Sequence, residues 1–253
     1  MLSRIELEPT AQLKRLSLMH AEKDYLQNTI LYAMYSSAGK EMVFKGGTCL
    51  YKLYGLNRFS EDLDFSVSKP VDFKKLLEKI MHLISQNGIH GRIKAFEEYK
   101  NRINATLELK GPLYNGNPKS FCIIGMDVNV REPTLMPSER LVLHHPYRDI
   151  PGFDVFAMNL GEILLEKIEA VFNRNKARDV YDLWFLLKYK EVKADYTLLN
   201  KKLKRINAAF SKTKFTEKLQ EKSSTWKSDV APLLAGQLPA FAQVKEEILK
   251  LME

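Results

Sequence analysis

"KGGTCLYKLYGLNRFSEDLDF", residues 45–65, sets two adjacent glycines ahead of two aspartates spaced i, i+2. Gly46 and Gly47 let the chain turn out of a short strand, "EMVFK", into a helix that Gly55 can close. "EDLDFSV" then alternates, with Asp62, Asp64 and Ser66 on one face and Leu63, Phe65 and Val67 on the other. That is the pattern of a half-buried strand. Two carboxylates so close repel unless something positive lies between them. A glycine turn can aim backbone N–H groups and a helix N-terminus at a phosphate, with the Thr48 hydroxyl beside them. The same turn with no ligand would simply be a tight entry to a helix.

Upstream, residues 11–35 carry apolar side chains at helical spacing with no proline or glycine, and read as one long helix. Downstream, a helix is expected over Phe73 to Gln86, then extended stretches at residues 92–98 and 102–109. "FCIIGMDVNV" is a strong strand, with Phe121, Ile123, Gly125, Asp127 and Asn129 sharing a face. If it lies beside the first acidic strand, Asp127 supplies a third carboxylate. Magnesium prefers oxygen ligands and usually takes one or two protein carboxylates plus phosphate oxygens. Three carboxylates therefore suit a two-metal site for phosphoryl or nucleotidyl transfer.

Proline-containing sequence between Glu132 and Pro151 reads as a loop, and from Asn159 the patterns are helical to Glu253. The expected fold is α+β: an α/β domain with an N-terminal helix over residues 1–158, then an all-helical domain over residues 159–253.

Bulk properties narrow the class. No apolar run approaches the roughly 18 residues of a membrane span, and "MLSRIELEPT" has no apolar leader, so a cytoplasmic protein is expected. Cys49 and Cys122 sit in apolar segments without ligand spacing and read as reduced core residues. His144 and His145 lack a zinc-ligand partner spacing, and no Ser–His–Asp or P-loop pattern is present. The net charge is +8, and residues 201–227 hold nine basic and two acidic residues. That run reads either as a solvated helix face or as a footprint for a polyanion such as RNA.

"FKGGTCLYKLYGLNRFSEDLDF" resembles the signature of the AbiEii-type nucleotidyltransferases, toxin halves of AbiE-like toxin–antitoxin systems. These belong to the DNA polymerase beta-like nucleotidyltransferase superfamily, whose motif is a Gly-Gly or Gly-Ser turn followed by Asp-x-Asp. "KARDVYDLWFLL" is similar to the family's second block, and "NLGEILLEKIEAVFNR" to the helix before it. The resemblance implies a polymerase-beta-like α/β domain followed by helices. It implies that Asp62 and Asp64 bind metal, with Asp127 as the third ligand on a looser match. Gly46, Gly47, Thr48, Arg58 and Ser60 fall in the nucleotide-binding block. Lys167 matches a lysine that grips the triphosphate, and Asp179 and Asp182 match the acidic positions of an Arg-Asp-x-x-Asp element that begins at Arg178. The spacing from glycines to Asp-x-Asp is longer than the superfamily's commonest form, because "LYGL-RFS" is inserted between them.

The residues leave some roles open. Lys167 either snorkels outward or aims at an anion. Arg58 could reach phosphate or be a solvated turn residue. Arg178 and Asp182, four apart on a helix, could simply pair, and the acidic residues there suit orienting Lys167 or Arg178 better than binding metal. The function expected is a magnesium-dependent enzyme, with manganese as the alternative ion. It moves an NMP from an NTP to a hydroxyl of RNA, a tRNA 3′ end by the resemblance, with a cognate antitoxin as partner. The rivals are the same chemistry on a small molecule or protein, and a non-catalytic NTP-binding regulator.

Overall fold

The computed structural model describes residues 1–130 and 134–252. Two compact units make up the chain. The first comprises Met1–Gly55, Phe59–Thr134 and Ser138–Ala157; the second comprises Leu56–Arg58, Leu135–Pro137 and Met158–Glu253.

In the first unit the chain opens with helices α1 (Arg4–Leu13) and α2 (Leu18–Tyr35), where the sequence pattern suggested one. Ser3 caps α1 with a capping box through Glu6. Arg15 then takes a left-handed turn (φ 53°), and Ser17 caps α2 by accepting from the His20 N–H. Apolar periodicity ran across this break because both helices bury one face on the same core.

Strand β1 (Met42–Lys45) leads into α3 (Gly46–Tyr54), which Gly55 closes at φ 77°. Then come β2 (Leu63–Val67), α4 (Phe73–Gln86), β3 (His90–Tyr99), β4 (Arg102–Lys110) and β5 (Cys122–Asn129). Two further strands, β6 (Glu139–Leu143) and β7 (Phe153–Ala157), lie in the stretch expected to be loop or junction. Glu132 and Pro133, where that loop was expected to begin, lie outside the described residues. β6 is a five-residue edge strand exposing alternate side chains, a signal too short to stand out between prolines.

Among the described residues the sheet has seven strands in the order β3-β4-β5-β2-β1-β7-β6. β2 runs parallel to β5 and antiparallel to β1, β1 runs parallel to β7, and the remaining pairs are antiparallel. One face of the central strands is apolar: Leu63, Phe65, Ile103, Ala105, Leu107, Ile124, Met126 and Val128 are all buried. Helices α2 and α4 pack on this unit's sheet, with Phe73 of α4 stacked on Phe96 of β3. Strand alternation forces Asp64, Asn104, Thr106, Gly125 and Asp127 onto the opposite face.

The second unit is helical: α5 (Leu160–Asn173), α6 (Ala177–Lys188), α7 (Tyr196–Leu203), α8 (Lys212–Glu221), α9 (Trp226–Val230) and α10 (Phe241–Leu251). Its core joins Ile163, Ile168 and Val171 of α5 with Val180, Leu183 and Leu187 of α6 and Val244 and Ile248 of α10. The Trp184 indole N–H donates to Glu247 Oε2 at 2.5 Å, fixing α10 to α6.

Candidate active site

Sheet register assembles the acidic residues. Asp64 of β2 is paired with Asp127 of β5 across the parallel ladder, and with Lys45 of β1 on its other side. Directly opposed side chains on one face stand about 5 Å apart. Lys45, Asp64, Asp127 and Asn104 therefore form one row across four strands. Asp62 precedes β2 and falls on the same face one row along. A Cβ on Gly125 would sit 2.6 Å from Asp62 Oδ1, so the missing side chain there is what lets that carboxylate lie down. Gly46 does the same for Asp64: it has φ 74°, and any side chain on it would run into the Asp64 carboxyl group. Each aspartate of the pair thus has its own glycine.

Asp62 is exposed, while Asp64 and Asp127 are half-buried. Arg102 of β4 holds Asp127 in an ion pair. Among the described residues no three His, Cys, Asp or Glu side chains form a ready-made metal cage. The donor set still fits divalent magnesium: hard carboxylate oxygens on one face, beside a helix N-terminus, to be completed by phosphate oxygens. Asp62 and Asp64 would hold the ion, with Asp127 beside Asp64 as the next ligand.

Thr48 is fully buried, and its hydroxyl donates to the backbone carbonyl of Asp62. From the sequence that hydroxyl could add to a phosphate cradle; in the structure it fixes the start of the acidic strand. Ser60 is buried, and its carbonyl accepts from Gln27 Nε2 of α2 at 2.9 Å, as does the carbonyl of Glu61 at 2.8 Å.

The other candidates lie in the helical unit. Arg58 donates to both carboxylate oxygens of Asp182, from Nε at 2.7 Å and Nη2 at 2.6 Å. Neither side chain is more than 3% exposed. Arg58 is therefore neither a solvated turn residue nor reaching outward for phosphate. Lys167 lies 2.9 Å from Asp179 Oδ1 and 2.7 Å from Asp182 Oδ2, and Arg174 closes the network on Asp179 at 2.8 Å. Burial pulls both aspartates toward the neutral form, but the cations outweigh it and hold them below the ordinary carboxylate range. Burial likewise opposes the charge on Lys167, and Asp182 and Asp179 overcome it, raising its pKa. Arg178 is half-buried on the same helix as Asp182.

The sequence assigns no role to Lys45 or Arg102, and places Gly125 on the face of Asp127 without giving it one. Gly125 was legible in principle, two residues before Asp127 on its face. Arg102 was not, because which strand lies beside β5 is invisible without the register.

A family model describing the "Nucleotidyl transferase AbiEii toxin, Type IV TA system" matches residues 29–247. The chain belongs to this AbiEii family. It is accordingly a nucleotidyltransferase toxin of a type IV toxin–antitoxin system, for which an NTP is substrate and an antitoxin the partner. Solved structures agree on the fold. JHP933 from Helicobacter pylori superposes with a TM-score of 0.62 at 25% identity, covering 94% of this chain and 91% of that one. MenT4, nucleotidyltransferase toxin Rv2826c from Mycobacterium tuberculosis H37Rv, gives 0.67 at 20% identity, covering 100% and 89%. A search among curated proteins gives no match. The fold class expected from the sequence, a polymerase-beta-like α/β domain followed by helices, is the one found. Among the described residues no helix is long and apolar enough to cross a membrane.

Proposed function

We propose that the acidic sheet face transfers an NMP from an NTP to a hydroxyl of an RNA, a tRNA 3′ end in the reading favoured here. The observation that carries it is the register of Asp64 against Asp127, with Asp62 resting on Gly125. Divalent ions, magnesium or manganese, would neutralise the phosphates there and polarise the α-phosphorus. The backbone N–H groups of Gly46 and Gly47, at the N-terminus of α3, are assigned to the β- and γ-phosphates. The acceptor oxygen bonds to the α-phosphorus as the bond to the β-bridging oxygen breaks. Pyrophosphate leaves with that electron pair, and Asp127 takes the hydroxyl proton. Catalysis then rests on placement and charge neutralisation.

Lys167 is assigned to the triphosphate. That assignment rests on its match to the family's lysine; within its own unit Asp179 and Asp182 meet two of its three N–H groups. Arg58, Arg178 and Asp182 support that lysine in this reading. An RNA acceptor is favoured by the basic segment, although burial trims it. Lys202 is buried against Glu162 at 3.1 Å and Lys222 is also buried, while Lys201, Lys204, Lys212, Lys214 and Lys227 are exposed. The setting assigned is an AbiE-like pair with a cognate antitoxin in the cytoplasm.

Total RNA incubated with each α-labelled NTP and magnesium tests the proposal. Label in tRNA that Asp64→Ala abolishes supports it. Label in protein or a small molecule, or equal transfer by the variant, overturns it.

A further inference from the structure

Beyond Asp127 the same sheet face continues onto β4 and β3. Register places Asn104 beside Asp127 and Glu97 beside Asn104. One row along, Arg102 is paired with Asn129 and Tyr99 with Arg102. Tyr99 and Arg102 flank the two-residue turn Lys100–Asn101 and are both exposed, at 55% and 60%. The Tyr99 hydroxyl donates to Glu97 Oε2 at 2.9 Å, which ties the ring to its strand.

Reaction geometry says what belongs there. The glycine turn of α3 follows β1, on one side of Asp64; β4 and β3 lie on the other side, past Asp127. In an in-line displacement the attacking and leaving oxygens sit on opposite sides of the phosphorus. If pyrophosphate departs toward α3, the attacking hydroxyl enters from the β4–β3 side. Strands are about 4.8 Å apart, so Arg102 stands about 5 Å and Tyr99 about 10 Å from the Asp127 column. A guanidinium and then an aromatic ring, in that order outward, match a phosphodiester and then a base of a single strand.

We infer that β3 and β4 form the acceptor subsite, with Arg102 receiving the phosphodiester next to the reacting 3′ hydroxyl and Tyr99 stacking a terminal base of single-stranded RNA. The inference rests on the RNA reading above. Arg102 holds Asp127 in the protein without ligand and exchanges that carboxylate for the incoming phosphate. Asn104, on the same strand as Arg102 and beside Asp127, faces the acceptor's sugar or base edge.

The experiment varies a single-stranded RNA oligonucleotide at saturating α-labelled NTP, then varies NTP at saturating RNA. Tyr99→Ala should raise the KM for RNA about tenfold and leave the KM for NTP unchanged, while Tyr99→Phe, which keeps the ring but loses its bond to Glu97, should raise the KM for RNA by less. Arg102→Ala should weaken binding of the fluorescently labelled oligonucleotide. It should also reduce the slope of log K against log salt by about one. Both side chains are exposed, so the variants should fold, which circular dichroism verifies. If wild type labels the RNA but neither variant shifts its KM or salt slope, the subsite is wrong and the RNA reading survives. If wild type labels protein or a small molecule and no RNA, both fall together.

Discussion

The chain keeps its acidic residues in two contrasting environments. In the helical unit Asp179 and Asp182 are buried among Arg58, Lys167 and Arg174, with both Asp182 oxygens bonded to Arg58. On the sheet face Asp62 is exposed, and Asp64 and Asp127 are half-buried. A buried ion network must satisfy itself, because each unmet charge costs several kcal/mol. Carboxylates proposed to meet a metal and a nucleotide must instead stay reachable, as Asp127 does although Arg102 pairs with it. In the function proposed here the same residue type is scaffolding in one place and metal ligand in the other, and burial separates the two.

That contrast can be broken in order of expected effect. Asp182→Ala removes the carboxylate shared by Arg58 and Lys167 and should cost about 3–5 kcal/mol of stability, read by denaturant unfolding. Loss of activity without loss of stability would move Asp182 out of the scaffold. Asp64→Asn should do the reverse: transfer falls roughly 10²–10³-fold while the unfolding midpoint stays near that of wild type.

A third change concerns the buried cluster of the first unit, where Asp24 meets Lys52 at 2.8 Å and Lys14 at 2.5 Å. Burial pushes the Asp24 carboxyl up, but the two ammonium groups outweigh it and bring it down to about 2 from 3.8. Burial outweighs the pull of Asp24, which Lys52 shares with Lys14, and the Lys52 pKa falls to about 8. A depressed carboxyl stabilises the fold above its unfolded pKa, and the contribution disappears as pH drops. About 2 kcal/mol should therefore be lost between pH 4 and pH 2. For Lys52 the unfolded chain holds its proton longer, so stability from this group rises with pH between about 8 and 10.5. Unfolding midpoints across both windows check the signs, and Asp24→Asn should flatten the acid one.

The smallest effect is expected from Gly125→Ala. Its Cβ would meet the mobile end of Asp62, so the fold should tolerate it while transfer drops about tenfold. Unchanged activity would mean that the position of the Asp62 carboxylate does not matter.

Much of the sheet face was legible in the sequence. The glycine pair, the alternation of "EDLDFSV" and that of "FCIIGMDVNV" give local geometry directly, because a strand's period fixes which residues share a face. The pairing partners were not legible. Nothing local says that Arg102 will stand beside the strand of Asp127, or that Arg58 will cross to Asp182, 124 residues later. Both depend on long-range packing. The break at Arg15 and the short strands β6 and β7 were also hidden: apolar periodicity bridged the first, and five-residue strands carry little pattern of their own.

The central claim is that Asp62, Asp64 and Asp127 hold a divalent ion together with the nucleotide. Manganese binding, followed by electron paramagnetic resonance with a non-hydrolysable NTP analogue, measures this without any turnover. The account predicts that wild type takes up manganese only with the analogue present and that Asp64→Asn loses this uptake. Equal uptake by both proteins would contradict it.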